Sequence, residues 1–151
     1  MIWTPHVTVA AVVERDGRFL LVEEETNSGV VLNQPAGHLE EGESLAAGAI
    51  RETLEETGWH FVPLTLLGIY RWRSPGNGVT YLRFAFTGEL TGHEPDRPLD
   101  TGILRALWLT PAEIAREQAR HRSPQVLRCV QDYLAGTRYP LACLAEFPDG
   151  T

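Results

Sequence analysis

The sequence predicts an α+β domain in which a mixed β-sheet is covered by helices on both faces. Six strand-like segments are interleaved with three helix-starting signals, an order that places helices against a sheet rather than in a separate bundle. Turn signals at Asp16-Gly17 and across Pro75 to Gly78 fold neighbouring strands into hairpins. No repeat or low-complexity stretch interrupts the pattern, and 151 residues is the size of one domain, taken here as residues 1–151.

His6 to Val13 reads as a strand, Arg15 to Arg18 turns, and Phe19 to Glu25 returns as its hairpin partner. Val30 to Asn33 is a short third strand. Ser44 is suited to N-cap a helix that runs to Thr57, where Gly58 stops it. Pro63 to Trp72 and Thr80 to Leu90 form a long hairpin, and after a polar loop from Thr91 to Gly102 comes a strand from Ile103 to Leu109. Thr110, Pro111 and Glu113 spell a capping box with proline at the first helical position. Ser123 and Pro124 open a last helix that Gly136 ends.

Charge narrows the function. A net charge of −7 excludes a nucleic-acid polymer as partner, since phosphate-backbone binding needs a basic stripe. All thirteen basic residues are arginine, which excludes a lysine phosphate loop and Schiff-base chemistry. Cys129 and Cys143 lack CxxC spacing, and Cys129, among apolar residues of a predicted helix, is read as buried and reduced. The chain start has no basic n-region and no long apolar run, so neither signal peptide nor membrane span is expected and the location is expected to be cytoplasmic.

Six glutamates crowd into residues 37–58. With about 100° of rotation per residue, Glu52, Glu55 and Glu56 point within one narrow sector of the predicted helix. Ala46, Ala47, Ile50, Thr53, Leu54 and Thr57 lie opposite and are expected to form its core face. Like charges at three- and four-residue spacing repel, so a cation is expected among them. A hard divalent ion with oxygen ligands, Mg2+ with Mn2+ as substitute, fits the site. Arg51 flanks the carboxylates and can hold one in a bidentate pair, while Glu43 meets the helix N-terminus or pairs with Arg51. Gly37 allows close backbone approach to metal or phosphate. The same residues read without a metal are a solvated acidic helix face capped by Gly58.

The run Gly37, five residues, Glu43, seven residues, Arg51-Glu52-Thr53-Leu54-Glu55-Glu56-Thr57-Gly58-Trp59 resembles the Nudix box, with Thr53 and Trp59 where bulky aliphatic residues are usual. The resemblance implies the Nudix α/β/α sandwich from about His6 to Gly136 and hydrolysis of phosphoanhydride bonds. It implies metal ligands among Gly37, Glu52, Glu55 and Glu56, catalytic roles for Arg51, Glu55 and Glu56, and support of the site by Glu43 and Gly58. Relatives often carry an acidic residue before the strand of Ile103; here that position is Gly102, with Glu94, Asp96 and Asp100 nearby and Asp100 the best placed of them, and Glu55 or Glu56 is the expected base. The segments PHVTV from Pro5, NQPAGHL from Asn33, LRF from Leu82, RSP from Arg122 and RYPL from Arg138 are similar to the NudJ phosphatase subgroup, with Leu32 replacing an expected tryptophan. That similarity implies nucleoside tri- and diphosphates, or thiamine-type pyrimidine pyrophosphates, as substrates.

For substrate binding the expected residues are Arg83, His38, Trp72 and Gln34; an arginine beside an aromatic can hold phosphate while the ring stacks a base. Trp72 read alone is equally a core residue, and Arg138 and Tyr139 either close over the site or pin the tail. The expected partner is a small phosphate or pyrophosphate compound, with no membrane, and a monomer or homodimer. Two other functions fit a weaker version of the pattern. A nucleotide-sensing domain that binds without cleaving would lose a carboxylate of the box, and none is lost. A calcium-binding structural domain would carry its acids in a loop rather than on a helix.

Overall fold

The structure, a computed structural model, describes residues 1–151. Its strands are β1 (His6–Val12), β2 (Glu14–Arg15), β3 (Arg18–Thr26), β4 (Gly29–Asn33), β5 (Ala36–His38), β6 (Trp59–Arg73), β7 (Thr80–His93), β8 (Ile103–Leu109) and β9 (Tyr139–Pro140). Its α-helices are α1 (Leu45–Thr57), α2 (Pro111–Arg116) and α3 (Gln125–Leu134). None is long and apolar enough to cross a membrane.

The expected sheet is divided in two. Strands β5-β1-β7-β6-β9 make a mixed sheet in which β1 and β7 run parallel and the other neighbours antiparallel. In the second sheet β3 pairs antiparallel with β2, β4 and β8. The hairpin expected between residues 6–13 and 19–25 is therefore confined to the short β2–β3 pair, with Arg15 opposite Arg18. Val13 leaves the first sheet here and is joined to the second by the Leu20 amide, which donates to its carbonyl at 3.0 Å. The β6–β7 hairpin matches its turn signal and runs several residues further than expected, to Trp59 and His93. Strands β5 and β9 carry too few residues to show a period and have no signature in the sequence.

Alternation along β1 distributes the core between two layers. Ala10 and Val12 face α2 and α3, where Phe19, Leu21, Leu67, Ala85, Ile114, Cys129 and Val130 complete one buried cluster. Val9, Ala11 and Val13 face the α1 layer and pack with Ala49, Phe61, Leu66 and Phe86. Cys129 is buried as its apolar neighbours suggest.

Helix α1 begins and ends where its caps say. Ser44 Oγ accepts from the Ala47 amide at 3.1 Å, and Gly58 ends the helix in the left-handed region at φ 76°. The buried side overlaps the expected one only at Thr53 and Thr57. Gly48, Ala49, Glu52, Thr53, Glu56 and Thr57 are buried, whereas Ile50 is 37% exposed. The core sector is thus rotated by roughly 100° toward the carboxylates. Thr53 and Thr57 tolerate burial because their hydroxyls donate to the Ala49 and Thr53 carbonyls at 2.7 and 2.6 Å. The tail is pinned: Tyr139 pairs with Leu66 on the edge of β6, and Glu146 accepts from the Leu45 amide at 3.0 Å.

Candidate active site

Gly37 sits on the edge strand β5, and a Cβ there would lie 2.1 Å from Glu52 Oε1. The missing side chain is what lets the Glu52 carboxylate settle against the strand. Glu56 reaches the same strand, its Oε1 accepting from the Ala36 amide at 2.8 Å. Glu52 and Glu56 are each only 7% exposed. Burial raises the Glu52 pKa against the pull of Arg51, and burial pushes that of Glu56 up to about 9, reinforced by Glu52, Glu24 and Asp100.

Arg51 offsets part of this negative charge. Its guanidinium grips Glu43 in a bidentate pair, Nε to Oε2 at 3.0 Å and Nη2 to Oε1 at 2.6 Å. Nη1 donates to Glu52 Oε1 at 2.8 Å and to Glu55 Oε2 at 3.3 Å, and Nη2 also reaches the His38 carbonyl at 3.0 Å. The bidentate partner is thus Glu43 and not one of the three clustered carboxylates. Glu43 is held below the ordinary carboxyl range by this contact.

Asp100 joins the cluster from the loop that precedes β8. Glu52, Glu55 and Asp100 each bring a carboxylate oxygen within 4.8 Å of the other two. The loop that carries Asp100 is docked on the end of α1: its amide donates to the Glu55 carbonyl at 2.9 Å, and the Glu94 amide donates to Gly58 at 2.8 Å. Gly58 supports that docking, since a Cβ there would meet the Glu94 carbonyl at 2.7 Å. Gly102 adopts φ +93°, closed to most side chains, and its carbonyl accepts from the Glu25 amide at 2.8 Å. The loop therefore turns at Gly102 and presents its acid two residues earlier.

On the other face of β5 lies a cleft of about 1030 Å³. Gly37 and His38 line it together with Arg83, Trp72, Tyr81 and Arg122, so Gly37 touches both the cleft and the carboxylates. His38 Nε2 lies 3.0 Å from His6 Nδ1; burial, with His6 and Arg122 nearby, depresses its pKa. Trp72 stacks on Tyr81 at 5.9 Å and is half-buried. Gln34, expected to bind substrate, is fully buried and its amide is committed to Arg83 and to the Val126 carbonyl, so it acts as a strut. His6, Tyr81 and Arg122 also gather here, and the sequence signals them only by their placement at strand ends and in the RSP segment.

A family model of the NUDIX domain matches residues 4–129. The chain is 41% identical over 143 residues to Phosphatase NudJ of Escherichia coli K12, covering 95% of this chain and 92% of that protein. It is 54% identical to a solved NUDIX hydrolase from Nitrosomonas europaea, with a TM-score of 0.94 over 98% of this chain and 100% of the other. The NUDIX domain of Shewanella oneidensis NrtR, solved with ADP ribose, shares the fold at 18% identity and a TM-score of 0.70, covering 88% of this chain and 90% of that one. The chain belongs to the Nudix hydrolase family.

Proposed function

We propose that this hydrolase cleaves phosphoanhydride bonds in nucleoside tri- and diphosphates, or in thiamine-type pyrimidine pyrophosphates, with a divalent cation as cofactor. One observation carries the reading: the Glu52, Glu55 and Asp100 carboxylates converge within 4.8 Å beside Gly37, which also lines the large cleft. The donors fit Mg2+, or Mn2+ in its place: all are oxygens, negatively charged and only partly offset by Arg51. Glu52, Glu55 and Asp100 would hold the ion, with Glu56 and the Gly37 backbone beside them. Once bound, the ion would neutralise phosphate charge and acidify water.

The residues then divide the work. Arg51 keeps Glu52 and Glu55 aimed at the centre through contacts of 2.8 and 3.3 Å. Glu55 or Glu56 takes the proton of the attacking water as its oxygen bonds to phosphorus; the bridging P–O bond breaks and its electron pair leaves on the departing phosphate. His38 and Trp72, at the cleft wall, are the candidates for contact with the rest of the substrate.

Because Asp100 belongs to the cluster, Asp100→Asn is expected to weaken Mg2+ binding and lower turnover by about a hundredfold. Magnesium dependence of the initial rate is the check; a wild-type curve would place Asp100 outside the site. The function itself is tested by incubating the protein with Mg2+ and a panel of nucleoside tri- and diphosphates, thiamine diphosphate and dinucleoside polyphosphates. Orthophosphate release from one class is the expected outcome. Binding without release from any member would contradict the proposal.

A further inference from the structure

Arg83 is placed by sequence pattern among the phosphate contacts, yet its surroundings give it a different task. It is 3% exposed on β7. Nη1 donates to Gln34 Oε1 at 2.8 Å and Nη2 to Asn33 Oδ1 at 2.9 Å. Its third neighbour is the Cys129 sulfur at 4.0 Å, and Nε has no partner. All its acceptors are neutral. A buried charge without a counter-ion is unfavourable, so a simple contribution to stability does not account for it. What these pairs use is the planar fork, which spans two amide oxygens at once.

Asn33 and Gln34 open the short run that ends at His38 and contains Gly37. From the α3 side this run is tied by Arg83 and by Gln34 Nε2, which donates to the Val126 carbonyl at 2.8 Å. From the α1 side it is tied by Glu56 at the Ala36 amide and by Arg51 at the His38 carbonyl. The strand is gripped between two layers, and the carboxylate cluster is built against one side of it. We infer that Arg83 is a positioning residue for the candidate metal site: through Asn33 and Gln34 it fixes how Ala36 and Gly37 meet Glu56 and Glu52. The inference rests on the metal-dependent reading above, although the grip itself exists without an ion.

Arg83→Lys keeps the charge but cannot span both amide oxygens in one plane, and Asn33→Ala removes one anchor while leaving Arg83 in place. In both variants, with EDTA present, the Ala36 amide is expected to exchange with solvent at least about tenfold faster. Mn2+ affinity, followed by electron paramagnetic resonance, is expected to fall by about ten- to a hundredfold, with kcat falling alongside and KM unchanged. If lysine restored function, or if KM rose about tenfold while exchange and Mn2+ affinity stayed put, Arg83 would be a phosphate contact and the inference would be overturned. Unchanged Ala36 exchange in both variants would overturn it too. Should Arg83→Lys not fold, Asn33→Ala alone decides between these outcomes. Failure of the wild-type protein to bind Mn2+ or release phosphate would instead strike the proposed function, and the exchange measurement would still report on the grip.

Discussion

Glu52→Gln is expected to lower kcat about a thousandfold at saturating Mg2+, equivalent to roughly 4 kcal/mol of barrier. The substitution keeps shape and removes one charge from the Glu52, Glu55 and Asp100 cluster. The fold has reason to survive it. Arg51 retains Glu43, Glu55 and the His38 carbonyl as partners, and the neutral amide relieves a buried charge whose pKa is already raised by desolvation. Phosphate release and a thermal melt on the same sample separate the two effects. Near-wild-type turnover would remove Glu52 from the centre, and a collapsed melt would make its role structural.

Glu56→Gln should also impair turnover, and its second effect has the opposite sign. The Glu56 carboxyl, buried against β5, has its pKa pushed up to about 9 without a metal. Its unfolded-state pKa is near the ordinary value of about 4.3, so between the two the unfolded chain releases the proton while the folded one keeps it. Stability of the metal-free protein therefore falls as pH rises through that window, by an amount on the order of a few kcal/mol. Glutamine cannot titrate, so in EDTA at pH 8 the variant is expected to melt about 5 °C or more above wild type, with little difference at pH 5. Melting curves at the two pH values, with and without Mg2+, measure this. A difference independent of pH would show that Glu56 is not the titrating group.

How far the sequence reached follows from which signals are local. Ser44, Gly58 and the Thr110 to Glu113 box are read within one helical turn, and each acts in the structure as it reads. The Pro75 to Gly78 turn fixed the β6–β7 pairing for the same reason. The acidic cluster was visible as spacing on one helix, except for Asp100, whose approach depends on the loop docking at the Glu55 and Gly58 carbonyls. Hydrophobicity favours Ile50 over Glu56 for the buried face of α1, whereas the fold buries the Glu52 and Glu56 carboxylates against the strand of Gly37. The division into two sheets and the burial of Gln34 depend on contacts between segments far apart in sequence, which periodicity does not encode.

The proposed function requires that the Glu52, Glu55 and Asp100 carboxylates beside Gly37 hold a divalent cation on which hydrolysis depends. Its most direct test is phosphate release from a nucleoside diphosphate by metal-stripped protein, followed as Mg2+ is added back to the wild type and to Glu52→Gln. No release is expected in EDTA, with saturable recovery on adding Mg2+ in the wild type and no comparable recovery in the variant at any Mg2+ concentration. Turnover that persists in EDTA, or a Glu52→Gln curve that overlays the wild type, would contradict it.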